Sequence, residues 1–294
     1  MLTRMEAWPE LPYPAWKETC YTLHMWLQIV GKVRLALGPH LNHYWEATYY
    51  LTPRGLTSGA IPRPGGAGIF SCEFDFLADQ LRVETSAGES KTLALRPCKV
   101  ADFEAEVMGA LAGLGIDVRI WPMPVEVPKP VRFDLDHDNG SYDAEAVRRW
   151  WRILVACQRV FGKLRGEFQG KASPVHVFWG SMDLAYTRFS GRPAPARPQA
   201  DKVQQEAYSC ECASTGFWAG DHRFPEAAFY AYAAPEPAGF PEQKLHPAAF
   251  YQKEMGEFLL RYDDIRQAAD PETELLRFLR AAFAAAEGPG GWGP

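Results

Sequence analysis

Cysteine is scarce in this chain, basic blocks are missing, and so is any long apolar run. The six cysteines, Cys20, Cys72, Cys98, Cys157, Cys210 and Cys212, are scattered over 294 residues. That is too sparse for a disulfide framework, and free cysteine buries readily as a small apolar group. Lys and Arg number 31 against 36 Asp and Glu, a net charge of −5. With the basic residues unclustered, general nucleic-acid binding is excluded. Mean hydropathy is −0.26, and Lys, Arg or Gly interrupts each apolar stretch well short of the ~20 residues that cross a bilayer. The opening Met1-Leu-Thr-Arg-Met-Glu6 has no apolar signal-peptide core, so the cytoplasm is the expected compartment.

Motifs with a known chemistry are also few. There is no His-x-x-x-His, Cys-x-x-Cys or Gly-x-Ser-x-Gly spacing. His43, His176 and Cys210 come nearest to a ligand set, but a zinc site needs three or four ligands, and neither metal nor cofactor is expected. Gly166-x-x-x-Gly170-Lys171-Ala172 is one spacer short of a phosphate loop and lacks its Ser/Thr. Asp134-x-Asp136-x-Asp138-Asn139-Gly140, with Glu145 beyond, has Asn where a calcium loop needs its turn glycine. It reads as an acidic turn that caps the following helix.

What the chain does have is a globular composition, 47% hydrophobic and 23% charged, and signs of internal repetition. Phe70-Ser-Cys-Glu73 reappears as Tyr208-Ser-Cys-Glu211. Ala101-x-Phe103 with Met108-Gly109-x-Leu111 reappears as Ala248-x-Phe250 with Met255-Gly256-x-Phe258. Gly31-Lys32 matches Gly162-Lys163, and Thr52-x-Arg54 ahead of Pro62-Arg-Pro64 matches Thr187-Arg188 ahead of Arg192-Pro-Ala-Pro195. The matches are collinear, which is the signature of a duplication. The expected fold is α+β: two helix–antiparallel-strands–helix halves, residues 1–130 and 131–294, related by a pseudo-two-fold, with an extra C-terminal helix.

Within that frame, helical spacing runs from Trp16 to Leu37 and from Ala144 to Phe168, the second with Ser141 as cap. Strands are expected over His43–Leu51 and Val175–Phe189, each followed by a breaker-rich loop, Pro53–Gly68 and Ser190–Ala200. Phe70, Cys72, Phe74 and Phe76 alternate with polar residues as in a half-buried strand. Leu81–Thr85 and Thr92–Leu95 form a hairpin, Ala101–Leu114 a helix, Asp117–Trp121 a strand, and the proline-rich Pro122–Lys129 a linker. Ala248–Leu260 reads as a helix. Another follows from Asp270-Pro271 to Ala286, and a frayed Gly/Pro tail begins at Gly288.

Costly groups concentrate between residues 173 and 192. Asp183 lies in an otherwise apolar strand, where a carboxylate must be paired or hydrogen-bonded. On a single continuous strand, Trp179, Asp183 and Thr187 share one face, and His176 and Arg188 the other. Asp183 and His176 are the acid/base candidates. Arg188 and its repeat counterpart Arg54 are candidate anchors for an anionic ligand, and Trp179, Thr187, Tyr208, Phe217 and Trp218 are candidate walls. The functional expectation is a small molecule bound between the halves, with or without catalysis. The competing class is a non-catalytic interaction or scaffold module in which these polar residues brace the sheet.

The string Ser173-Pro-Val-His-Val-Phe-Trp-Gly-Ser-Met-Asp-Leu-Ala-Tyr-Thr-Arg-Phe-Ser-Gly-Arg192 resembles the hallmark segment of the DUF5996 family of uncharacterised bacterial proteins. So do Ala207-Tyr208-Ser209, Gly216-Phe217-Trp218, Tyr232-Ala-Ala-Pro-Glu-Pro237 and Trp8-Pro-x-Leu-Pro-Tyr13. The resemblance covers nearly the whole chain and carries no activity, substrate or cofactor with it.

Overall fold

The apolar spacing after Trp16 forms helix α1 (Tyr13–Leu37), with proline in its first turn and Gly38 at its end. The computed structural model of the chain describes residues 7–66, 68–288 and 290–292. The leader region Met1–Glu6, Ala67 of the glycine run and part of the Gly/Pro tail lie outside the described residues. Helix α2 spans Val100–Ala112 and α3 spans Ala144–Gly166. The cap of α3 is Asp143 in place of the expected Ser141, its side chain accepting from the Glu145 and Ala146 amides. Short helices α4 (Lys202–Ala207) and α5 (Tyr262–Arg266) follow, and α6 (Pro271–Glu287) starts as expected from Asp270-Pro271.

The strands are β1 (Thr48–Leu51), β2 (Gly55–Thr57), β3 (Ile61–Pro62), β4 (Ile69–Asp75), β5 (Gln80–Thr85), β6 (Ser90–Ala94), β7 (His176–Phe178), β8 (Asp183–Pro193), β9 (Cys210–Trp218), β10 (Ala228–Ala234), β11 (Phe250–Gln252) and β12 (Glu257–Arg261). All pair antiparallel in one sheet, in the order β11-β12-β10-β9-β8-β7-β1-β2-β4-β5-β6, with β3 on β4. The chain is therefore α+β, with six helices and a large antiparallel sheet. The strands of the N-terminal part meet those of the C-terminal part at β1/β7, where Thr48 faces Phe178 and Tyr49 faces Val177.

Helices cover one sheet face. Trp26 of α1 stacks on Phe103 of α2 at 4.4 Å, Trp150 of α3 meets Phe76 at 6.2 Å, and Phe283 of α6 meets Tyr186 at 5.6 Å. Burying large rings in this layer is the main driving force of the fold, at roughly 25 cal/mol per Å² of apolar surface. The other face of β7–β12 meets only loops and short helices among the described residues. Trp45, following a 3₁₀ turn at Asn42–Tyr44, and Tyr208, following α4, pack over Phe189 and Cys212, and Phe224 packs over Trp218 and Tyr230.

Several expectations need correction. Ala248–Leu260 is a β-hairpin, β11–β12, because Gly256 adopts φ +70 and turns the chain. The repeat match with Ala101–Leu111 therefore sets a hairpin against a helix. Asp117–Trp121 forms no strand. The loop Pro53–Gly68 holds β2 and β3, and β8 runs on to Pro193 into the expected second loop. The single strand expected over Val175–Phe189 is two, β7 and β8, joined by a turn in which Met182 takes φ +56. That turn resets the alternation: His176 pairs with Ala185 and Phe178 with Asp183, so His176 shares a face with Asp183 and Thr187.

Candidate functional site

Asp183 opens β8 on the face turned away from the helices and is 7% exposed. Two hydroxyls satisfy it. Ser181 Oγ donates to Oδ1 at 2.5 Å, and the Tyr230 phenol donates to Oδ2. Tyr230 comes from β10 and reaches Asp183 by lying across β9, above Gly216. A Cβ on Gly216 would stand 2.3 Å from the Tyr230 ring carbon and hydroxyl. The glycine in mid-strand is the condition for the bond.

Two further carboxylates face this pair. Val125 is pinned at both backbone ends by the buried Gln28 of α1, whose Oε1 accepts from its amide at 2.8 Å and whose Nε2 donates to its carbonyl at 2.9 Å. The next residue, Glu126, is left-handed at φ +55, and its Oε1 lies where a Cβ on Gly180 would be 2.7 Å away. Glu126 is exposed and Glu257 of β12 half-buried, and each lies close enough to Asp183 to feel its charge.

Burial, and then the charge of Asp183, push Glu126 and Glu257 up to about 7, with exposed Arg223 opposing. Burial also raises Asp183, against the pull of the Ser181 and Tyr230 hydrogen bonds. Trp218, Tyr230, Tyr232 and Tyr208 give this face aromatic walls, with Tyr208 donating to the Tyr232 hydroxyl at 3.0 Å. Thr187 and Ser214 share a hydroxyl contact of 2.9 Å on the same surface.

His176 lies further along this face, fully buried among Trp45, Tyr50 and Phe178. Neither ring nitrogen has a hydrogen-bond partner, and burial lowers its pKa to about 3, so the ring is neutral.

The remaining candidates lie elsewhere. Trp179 packs on the helix side, its ring against Gly31 and 5.6 Å from the Lys32 ammonium. Phe217 is core, against Phe229 and Tyr262. Arg188 points into the helix layer, where it donates to Glu287 at 2.9 Å and to the Leu164 carbonyl at 3.2 Å, and stacks over Phe283. Arg54 closes on Asp75 at 2.5 Å in the N-terminal part of the sheet. The two arginines do not converge, and each is held by a carboxylate. Asp136 of the acidic turn accepts from the amides of Asp138 and Asn139, inside its own turn.

Glu126 and Glu257 carry no local sign as site residues in the sequence, and Tyr230 stands there only as one of several sheet aromatics that could line a pocket or fill the core. Mid-strand Gly216 was the one local sign that a ring crosses there. Among the described residues no three His, Cys, Asp or Glu side chains converge as metal ligands. Away from this face, a depression of about 930 Å³ opens between Arg96, Lys99, Asp102 and Asp143, but Arg96 is engaged by Glu106 and Asp143 caps α3.

No curated protein and no solved structure matches the chain. A family model does match, over residues 8–294: the chain belongs to DUF5996, a family of unknown function.

Proposed function

We propose that the chain binds a small polar molecule on the sheet face turned away from the long helices, with Asp183 as the central hydrogen-bonding and proton-exchanging group. One observation carries this: buried Asp183 is held by Tyr230 and Ser181, while Glu126 and Glu257 face it from two other elements. Ser181 and Tyr230 would serve a structural brace equally well; what favours a ligand is that further carboxylates, which a brace does not need, lie near Asp183. The ligand is therefore neutral or cationic. The anionic ligand suggested by Arg54 and Arg188 loses its support, because Asp75 and Glu287 occupy both guanidinium groups.

If a reaction takes place, the two glutamates are its acid/base groups, since carboxyls near 7 give and take protons at neutral pH, and Asp183, raised by burial, is the third. The site sits beside the β1/β7 seam, on its C-terminal side. A duplication would account for a helix followed by antiparallel strands on either side of that seam, although the β11–β12 hairpin departs from the pattern. The six cysteines are free thiols, four of them buried, which suits a cytoplasmic, reducing compartment.

The test is thermal denaturation with matched panels of small amines, polyols and carboxylic acids, on the wild type and on Asp183→Asn. Amines or polyols should raise the wild-type melting temperature, carboxylic acids should not, and the variant should fold but lose the response. If the variant unfolds, or responds as the wild type does, Asp183 is structural and the scaffold reading stands.

A further inference from the structure

The loop at residues 38–47 and helix α4 are far apart in the chain, His40 and Glu206 being 166 residues apart, yet they close over the same sheet face. Trp45 of the loop lies 6.2 Å from Phe189 and 6.3 Å from His176, ring to ring. Tyr208, just past α4, bonds to Tyr232 at 3.0 Å. The two pieces meet at His40. Its Nδ1 is 2.7 Å from Glu46 Oε1, in its own loop, and its Nε2 is 2.7 Å from Glu206 Oε1, on α4. The Glu46 side chain is only 4% exposed.

A neutral imidazole carries one N–H. It satisfies one carboxylate and turns a lone pair towards the other, whereas the imidazolium donates to both. Glu46 has one other donor, the Leu41 amide at 3.1 Å from its Oε2, but that bond lies within the loop and does not tie it to α4. Tyr44 presents its ring edge to His40 at 5.3 Å, with Asp201 close enough to influence it. On the other side Lys171 donates to His43 Nε2 at 2.7 Å, and His43 Nδ1 lies 3.3 Å from the Glu206 carbonyl. His43 and Tyr44 both hold left-handed backbone, φ +61 and +56, a strained conformation for residues other than glycine.

We propose that His40 is a pH-sensitive latch: the protonated ring ties the loop to α4 and keeps Trp45 and Tyr208 over the sheet face, and loss of the proton frees them. As regulation of a binding site this rests on the function proposed above, but the latch itself operates with no ligand present. The two carboxylates, Glu46 foremost and then Glu206, raise the His40 pKa. A pKa raised in the closed form means that closure is fully supported below the ordinary histidine value of about 6.5. That support is lost as pH climbs through the raised value.

Hydrogen exchange read by mass spectrometry on the intact protein tests this, at about pH 5.5 and about pH 8.5, either side of the histidine range, after correction for intrinsic exchange. Peptides over 38–47 and 202–208 should lose protection severalfold at the higher pH while β9 does not change. His40→Gln should show the unprotected pattern at both values, and Glu206→Gln should flatten the pH response. Equal wild-type protection at both pH values, or a pH response that survives in His40→Gln, overturns the latch. Because no ligand is used, failure here leaves the binding reading intact, and failure to find a ligand leaves the latch intact.

Discussion

At Gly216 the absence of a side chain decides where Tyr230 can lie. The ring passes over the glycine to reach Asp183, and an added methyl would meet it at 2.3 Å. Gly216→Ala should therefore cost about 1–3 kcal/mol through overpacking and separate Tyr230 from Asp183. Denaturant unfolding of a double-mutant cycle checks it. The cost should largely vanish in a Tyr230→Ala background, and an equal cost in both backgrounds would place the strain elsewhere. The same scale shows why His176 differs from Asp183 in kind. Asp183 is buried with two donors, whereas His176 is buried with none, an unusual state for a polar group in a folded interior.

Glu126 owes its place to an element outside the sheet. Helix α1 presents Gln28 to both backbone groups of Val125, and that grip sets the left-handed residue that follows. Gln28→Ala should cost roughly 1–2 kcal/mol, since two part-buried backbone groups lose their partners. It should also speed exchange of the Val125 amide out of proportion to the global loss of stability. An unchanged Val125 amide would mean that the linker holds itself.

Elements of this kind mark how far the sequence was legible. The helices from Trp16, Ala144 and Pro271, and the alternation through Phe70–Phe76, announce themselves by local period. The 173–192 segment stood out by its costly groups. The turn at Met182 did not, because a four-residue reversal inside an apolar run leaves the period looking continuous, and so His176 was assigned to the wrong face. Phe250–Leu260 misled for a related reason: a short apolar run fits helix and hairpin alike until Gly256 is known to be left-handed. Glu126 and Glu257 reach Asp183 only through tertiary structure, and no local pattern betrays that.

For the molecule as a whole, these groups set opposing trends with pH. Glu126 and Glu257 hold their protons to about 7 in the fold, against 4.5 for ordinary glutamate. Their contribution is fully present below 4.5 and is lost as pH rises through 7. His176, lowered from 6.5 to about 3, acts the other way. The unfolded chain takes up a proton below 6.5 that the buried ring refuses, so stability falls as the solution is acidified. Maximum stability should lie on the acid side of neutrality. Glu257→Gln, which copies the protonated form, should be more stable than wild type at about pH 8 and equal to it at about pH 4.5, as thermal unfolding would read. A variant less stable at the higher pH would show that Glu257 is ionised and paired in the fold.

The account turns on the sheet face away from the long helices being a place where a small molecule sits against Asp183. Native mass spectrometry of the intact protein as isolated from cells, beside Asp183→Asn from the same host, tests this most directly. The wild type should carry a non-covalent small molecule, neutral or cationic, that the variant lacks. Two species both at the bare polypeptide mass, or the same adduct on both, would contradict it.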